Sequence, residues 1–150
     1  MLKYLKENDL AQYIDVKPSD WQEAIKISCE KLINKNLVTP NYVQEIVQNI
    51  IKHGPYIIIA DQIAMPHAAA DSPGVLGTGI SFTKFKDPVV FYDEETQEER
   101  PAKLFFTLAA KDADAHLENI TQLMDLLMDE DKVEGLMNSE SLDDFNQLIV

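Results

Sequence analysis

The stretch Ile63-Ala64-Met65-Pro66-His67-Ala68-Ala69-Ala70 joins an apolar run to a histidine that follows proline. Proline fixes its own φ, has no N–H donor and restricts the preceding residue, here Met65, to extended conformations. We therefore expect the apolar residues to anchor this segment in the core and to place His67 at the edge of a sheet. Histidine titrates close to neutral pH and can act as a base, nucleophile or ligand, and the alanines leave its ring open to a large partner. A loop histidine without a role is the simpler alternative on this segment alone.

A second histidine, His116, falls at the predicted start of a helix, where Asp112 or Asp114 is the expected N-cap. Helix N-termini favour anions through their free N–H groups and the helix dipole. A cationic histidine is disfavoured there, whereas a histidine beside a bound phosphate makes chemical sense. The alternative is a partly buried histidine with a structural hydrogen bond. His53, at the end of another predicted helix, is expected to be structural, because a cation complements the dipole at a C-terminus.

The composition predicts one ordinary domain over residues 1–150, with a hydrophobic content of 45% that is enough for a core. The chain has 13 Lys plus Arg against 26 Asp plus Glu, a net charge of −13, which disfavours nucleic acid and anionic membrane surfaces as partners. No apolar run reaches the ~20 residues that span a bilayer, and the first residues lack the apolar core of a signal peptide. A single cysteine, Cys29, excludes an internal disulfide and fits a reducing cytoplasm.

Hydrophobic periodicity predicts helices towards both ends of the chain. The first strong helix begins at Ser19-Asp20, where Asp20 and Glu23 resemble a capping box, and the second begins at Thr39-Pro40 and stops at Gly54. A long helix is expected from about Asp114 to Asp129, and a last one over about Ser141–Leu148. The expected buried positions are Trp21, Ala24, Ile25, Ser28, Cys29 and Leu32; Tyr42, Val43, Ile46, Val47, Ile50 and Ile51; and Leu117, Ile120, Leu123, Met124, Leu127 and Met128.

Apolar runs typical of strands fill the middle of the chain, at Tyr56–Ala60, Gly79–Phe85, Val89–Tyr92 and Ala102–Ala109. The first is expected to be a buried strand, and the acidic run Asp93–Arg100 is expected to be a solvated hairpin loop. Helices, then strands, then helices predict a mixed sheet with helices packed on it, rather than strict βαβ alternation.

Several familiar sites have no counterpart in the sequence. The spacings HExxH and CxxC are absent, so no metal site is predicted. The glycine-rich motifs of nucleotide-binding loops, GxxxxGKS, GxxxxGKT and GxGxxG, do not occur, so no nucleotide cofactor is expected. The GxSxG of serine hydrolases is absent as well.

The segment Ile63-Ala64-Met65-Pro66-His67 resembles the phosphorylation-site segment of the mannitol/fructose class of enzyme IIA, from the bacterial sugar phosphotransferase system. The similarity spans nearly all of the chain. Within that class the chain looks most like the ascorbate branch, through His53-Gly54-Pro55-Tyr56 before the site, Gly74-Val75-Leu76 after it and Asp112-Ala113-Asp114-Ala115-His116-Leu117 downstream. The resemblance implies the α/β fold of the mannitol-type enzymes IIA, a mixed, roughly five-stranded sheet flanked by helices on both faces.

The resemblance also implies a function. His67 is expected to accept a phosphoryl group from the histidine-containing phosphocarrier protein and to pass it to a cysteine of enzyme IIB. The membrane-embedded enzyme IIC then couples this relay to uptake and phosphorylation of ascorbate or a related sugar acid. His116 is our candidate for steadying the phosphoryl oxygens through its ring N–H. The expected protein is thus a cytoplasmic phosphotransferase component without a cofactor; the alternative is a regulatory relative in which phosphorylation of His67 controls partner binding.

Two positions depart from the family pattern. Many members carry an arginine on the helix before the active-site strand, where an ungapped match places Asn49. Ascorbate-type members usually carry an arginine two residues after the histidine, where this chain has Ala69. The phosphoryl group is therefore expected to have less cationic help than the family pattern implies, and Lys84, Lys103 and Lys111 are the candidates to compensate.

Overall fold

The computed structural model describes residues 1–70 and 72–149, which form five strands and six helices. In chain order the elements are α1 (Leu2–Glu7), β1 (Ala11–Ile14), α2 (Trp21–Asn34), α3 (Asn41–His53), β2 (Ile58–Ala60), β3 (Gln62–Ala64), β4 (Gly79–Asp93), β5 (Glu98–Ala109), α4 (Ala113–Leu127), α5 (Glu130–Asn138) and α6 (Leu142–Gln147). The strands form one sheet in the order β1-β4-β5-β3-β2. The pairs β1–β4 and β3–β5 are parallel, and β2–β3 and β4–β5 are antiparallel. The predicted mixed, five-stranded sheet is confirmed.

Helices cover both faces of this sheet, as predicted, because successive side chains of a strand point to opposite faces. On one face the rings of Phe82 in β4 and Phe106 in β5 lie 5.1 Å apart, and Phe145 of α6 stacks on Phe82 at 5.7 Å. On the other face the Ser81 hydroxyl donates to the carbonyl of Ser28 in α2 at 3.3 Å. The long central strands β4 and β5 are therefore buried on both sides over most of their common length.

Local chemistry explains where α2 and α3 begin and end. Asp20 caps α2 as predicted, since its carboxylate accepts the N–H of Glu23 at 2.8 Å. The predicted cap of α3 at Thr39 is wrong, because Pro40 occupies the N-cap position and makes no side-chain cap bond. Gly54 ends α3 as predicted, at a φ of 82° that glycine adopts without steric cost.

Three residues predicted to be core are exposed instead. Ile51 of α3 is 58% exposed, Leu117 of α4 is 64% exposed and Met128, just after α4, is 80% exposed. The buried face of α4 differs from the predicted face, because the amide of Asn119 points to the sheet. This amide donates to the carbonyl of Ala109 at 3.1 Å. In the described part of the chain, no helix combines the length and the apolarity that crossing a bilayer requires.

The strands also differ from the prediction. β4 is continuous, with a register shift between Lys84 and Val89, so the two strands predicted there are one. The acidic run does form a hairpin turn, over the shorter range 94–97. The strand predicted over Tyr56–Ala60 forms over Ile58–Ala60 as β2. It lies at the edge of the sheet, and only Ile58 of its three residues is buried, so the prediction that this strand is buried is wrong. The sequence pattern did not indicate α1, β1, β3 or α5.

Candidate active site

His67 lies where the chain leaves β3 and continues beside the end of β5. Ala64 is paired with Phe105 in the parallel β3–β5 ladder, and the same register puts His67 opposite Leu108. The Leu108 N–H donates to the Pro66 carbonyl at 2.9 Å, as a parallel ladder requires. The extended lead-in predicted from Pro66 therefore carries the histidine to the end of the sheet.

The next rung of this ladder is occupied by a side chain. In a regular parallel pair, the N–H of Ala68 would donate directly to the carbonyl of Leu108. Here the hydroxyl of Tyr42 stands between them: it donates to the Leu108 carbonyl at 2.7 Å and accepts the Ala68 N–H at 3.1 Å. Tyr42 projects from α3 and is 1% exposed. The helix therefore holds the two strands apart at the residue opposite Leu108, which is His67.

A second tyrosine holds the other end of the same peptide group. The hydroxyl of Tyr56 donates to the carbonyl of His67, and its ring meets the imidazole edge-on, with centroids 5.1 Å apart and an interplanar angle of 86°. Burial raises the pKa of Tyr56, while the nearby side chain of Asn49 lowers it. Asn49, the position expected to carry the family's arginine, thus lies near this hydroxyl.

The imidazole of His67 is held in one tautomer. Its Nδ1 lies 2.7 Å from the carbonyl oxygen of Met65, and because a carbonyl can only accept, Nδ1 carries the hydrogen and Nε2 keeps its lone pair. Burial lowers the pKa of His67 below its ordinary value of 6.5; the Met65 hydrogen bond raises it and the nearby His116 lowers it. The ring is therefore neutral at pH 7, with a free electron pair on Nε2.

His116 lies directly against this ring. It occupies the first turns of α4, whose N-cap is Asp112: the Asp112 carboxylate accepts the N–H of Ala115 at 2.8 Å. The ring centroids of His67 and His116 are 5.4 Å apart, with an interplanar angle of 38°. The structure therefore brings together the two histidines singled out in the sequence, beside the positive end of a helix dipole.

Lys84 and Lys103, two of the three lysines considered as compensating cations, do not share this position. Lys84 is 7% exposed, and its ammonium group donates to the carbonyls of Met137 and Ser139 at the end of α5. With Lys103 it lines a cavity of 510 Å³ on the far part of β4 and β5. Lys111 is exposed between β5 and α4, and its main-chain N–H donates to the Thr78 hydroxyl at 3.2 Å. The expectation that Lys84 and Lys103 serve the phosphoryl group is therefore wrong.

Sequence reasoning missed the two tyrosines. The sequence predicts Tyr42 only as part of a buried stripe, and Tyr56 as the start of a strand and as part of a motif that carries the family resemblance. A signal was available for Tyr42, since a tyrosine on a fully buried helical face needs a partner for its hydroxyl. That the partners are the main chain on either side of His67 depends on tertiary packing, which periodicity does not encode.

The family is shown by comparison with known proteins. The family described as "Phosphoenolpyruvate-dependent sugar phosphotransferase system, EIIA 2" matches residues 5–150. The protein accordingly belongs to the type 2 enzyme IIA family and is a phosphoryl-transfer component of a sugar phosphotransferase system.

Individual relatives divide between two substrate names. The chain is 38% identical over 138 residues to the mannitol-specific cryptic phosphotransferase enzyme IIA component of Escherichia coli, covering 92% of this chain and 89% of that protein. It is 36% identical over 127 residues to the ascorbate-specific EIIA component of Salmonella typhimurium, covering 84% and 79%. The complex of enzyme IIAMTL and phosphorylated enzyme IIBMTL from Escherichia coli contains a similar fold, with a TM-score of 0.72, 28% identity and coverage of 91% and 92%. The type 2 family is thus confirmed, whereas the ascorbate branch stays a prediction.

Proposed function

We propose that His67 is the phosphoryl acceptor, that it receives its phosphoryl group from the phosphohistidine of the phosphocarrier protein, and that it donates the group to a cysteine of enzyme IIB. One observation carries this proposal: the 2.7 Å contact from Nδ1 to the Met65 carbonyl leaves Nε2 as a neutral nucleophile. The lowered pKa of His67 keeps that nucleophile unprotonated at neutral pH, where a transfer reaction needs its lone pair.

The proposed transfer balances without another reactant. The Nε2 lone pair forms a bond to phosphorus while the bond from phosphorus to the partner's imidazole nitrogen breaks, and that electron pair returns to the partner's ring. The His67 ring then carries a positive charge, because both nitrogens are substituted. Its Nδ1–H already points at the Met65 carbonyl oxygen, which stabilises the charged ring more than the neutral one.

The second step reverses the first. The thiolate of an enzyme IIB cysteine attacks phosphorus, a P–S bond forms, and the bond from Nε2 to phosphorus breaks with its electrons returning to His67. Positioning supplies most of the catalysis in such in-line phosphoryl transfers. We assign His116 the part of steadying the phosphoryl oxygens through its ring N–H, since its ring lies 5.4 Å from that of His67 and charge builds up on those oxygens during transfer.

Phosphorylation of the purified chain tests the acceptor directly. The chain has three histidines, so His53→Ala is a matched control for His67→Ala: His53 is exposed at the end of α3, whereas His67 and His116 lie against each other. With phosphoenolpyruvate, enzyme I and the phosphocarrier protein, we expect one acid-labile phosphohistidine in the parent and in His53→Ala, and none in His67→Ala. Undiminished labelling of His67→Ala would show that the acceptor is another residue.

The role of His116 needs a different measurement. We expect His116→Ala to fold and to accept the phosphoryl group, but to transfer it more slowly to enzyme IIB. Unchanged kinetics in both steps would make His116 structural. A chain that is labelled on His67 and transfers to no enzyme IIB would instead support the regulatory alternative.

For the substrate we propose ascorbate or a related sugar acid, on the motif resemblance and the 36% identity to an ascorbate-specific component. Mannitol is the second candidate, because the mannitol-specific cryptic component matches at 38%. Cells that lack this chain should lose uptake of one compound and keep uptake of the other. We place the relay in the cytoplasm, since its acceptor is a cysteine thiolate that needs a reducing compartment.

A further inference from the structure

The peptide group between His67 and Ala68 is held at both ends by tyrosine hydroxyls. Tyr56 donates to its carbonyl oxygen, and Tyr42 accepts its N–H at 3.1 Å. Because a peptide group is planar, fixing both ends fixes the plane. The Cα of His67, which bears the imidazole, is attached directly to that plane.

The two tyrosines are not equivalent. Tyr42 contacts only the main chain of this segment, and it also completes the β5 ladder at Leu108. Tyr56 contacts the imidazole as well, edge-on at 5.1 Å. The imidazole is thus limited on three sides, by the Met65 carbonyl at Nδ1, by the Tyr56 ring and by the His116 ring at 5.4 Å.

We propose that Tyr56 is a positioning residue for His67. The inference rests on the proposed function of His67. A phenolic hydroxyl has one hydrogen to donate, whereas a carbonyl oxygen only accepts. The phenolic hydrogen of Tyr56 is therefore directed to the carbonyl of His67, and the edge-on contact of the two rings limits the rotation of the imidazole.

Both tyrosines belong to α3 and the turn that follows it. Tyr42 projects from α3 and holds the Ala68 N–H, and Tyr56, just beyond the end of α3 at Gly54, holds the carbonyl of His67. The helix and its turn thus hold both ends of the His67 peptide group. Near-attack alignment of Nε2 with phosphorus depends on small displacements of the ring.

The test measures single-turnover transfer from the phosphorylated phosphocarrier protein to full-length Tyr56→Phe. Tyr13→Phe is the matched control, because its hydroxyl is also half-buried and makes one hydrogen bond, to Ser139 at 2.7 Å, on the far part of the sheet. We expect Tyr56→Phe to lower the saturating transfer rate by about three- to tenfold, the range of one lost hydrogen bond. The concentration for half-saturation and the rate of Tyr13→Phe should stay within about twofold of the parent.

One further readout separates positioning from a general loss of stability. The ¹⁵N spectrum of the His67 ring should show a smaller population of the Nδ1–H tautomer in Tyr56→Phe and an unchanged one in Tyr13→Phe.

The outcomes are distinguishable from those that bear on the proposed function. If Tyr56→Phe transfers at the parental rate with a parental tautomer, while His67→Ala is unlabelled, the positioning role is overturned and the acceptor assignment stands. If His67→Ala is still labelled, both inferences fall together.

Discussion

Tyr42→Phe is the sharpest perturbation that the structure offers. It removes one oxygen atom and leaves the ring of a residue that is 1% exposed. Two main-chain groups lose their partner at once: the Leu108 carbonyl, 2.7 Å from the hydroxyl, and the Ala68 N–H, 3.1 Å from it. Neither group reaches solvent easily, since Leu108 and Ala68 are 0% and 5% exposed.

The magnitude follows from the state of those two groups after the substitution. A buried polar group left without a partner costs about 1–3 kcal/mol, so two such groups set an upper range of about 2–6 kcal/mol. The strands can partly recover the loss by closing the direct rung from Ala68 to Leu108 that the ladder register allows. We therefore expect a loss of about 2 kcal/mol, equivalent to a fall in Tm of about 4–8 °C for a domain of this size.

Urea denaturation measures the loss, and amide hydrogen exchange at Ala68 shows where it arises. Tyr92→Phe is the control, because Tyr92 is 55% exposed on the hairpin and its hydroxyl is not part of the site. We expect Tyr42→Phe to lose stability and Ala68 to exchange faster, with Tyr92→Phe unchanged. A loss below about 0.5 kcal/mol, the range of ordinary surface substitutions, with unaltered exchange at Ala68, would refute the reasoning that this hydroxyl is a rung of the ladder.

Four other outcomes are expected. Burial lowers the pKa of His67, so the unfolded chain binds that proton more readily than the folded chain does. The contribution of this site to stability should be complete above pH 6.5 and should be lost as the pH falls from there towards the lowered pKa. His67→Gln should lack this pH dependence in parallel urea titrations. Replacing His116 by Ala removes the neighbouring imidazole that lowers the pKa of His67, so NMR titration of His67 should move upward. Lys84→Met deprives two carbonyls at the end of α5 of their donor and should cost about 2–4 kcal/mol in urea denaturation, with labelling of His67 unaffected. Gly74→Ala places a Cβ 2.9 Å from the main chain of Tyr42 and should cost about 1–3 kcal/mol in the same assay; a stable variant would contradict the close packing of these two segments.

Sequence motifs predicted those features of the fold that depend on interactions between residues close together in the chain. The Asp20 cap, the Gly54 stop and the stiff lead-in at Pro66 depend on residues within a few positions of each other. β1 and β3 have four and three residues, too short for a periodic pattern, and they exist because β4 and β5 supply partners. Short strands of this kind are defined by pairing that is distant in sequence.

The buried face of α4 also depends on a contact that is distant from the local pattern of apolar residues. Counting apolar residues favours Leu117 as core, yet Asn119 is 6% exposed while Leu117 is 64% exposed. Asn119 is buried because the Ala109 carbonyl at the end of β5 needs a donor. This rotation of the helix also turns His116 towards His67. Hydrophobic periodicity assigns a polar residue such as Asn119 to the exposed face of a helix. It therefore misses the hydrogen bond that orients α4 and, with it, the geometry of the candidate site.

The proposed role of His67 as phosphoryl acceptor explains why so few charges act on it. The ionisable neighbour that shifts its pKa is His116, and the remaining effects are burial and a main-chain carbonyl. Arginine and lysine side chains would hold a phosphoryl dianion strongly, and whatever stabilises the bound group more than the transition state slows its departure. A carrier has to release the group as readily as it accepts it. A site built from main-chain carbonyls, tyrosine hydroxyls and one imidazole neighbour meets both requirements, because it fixes the position of Nε2 while adding little affinity for the phosphoryl group itself. On this argument Asn49 and Ala69, the two positions where the family's arginines are replaced, are consistent with a functional carrier that relies on positioning and on charges brought by its partners.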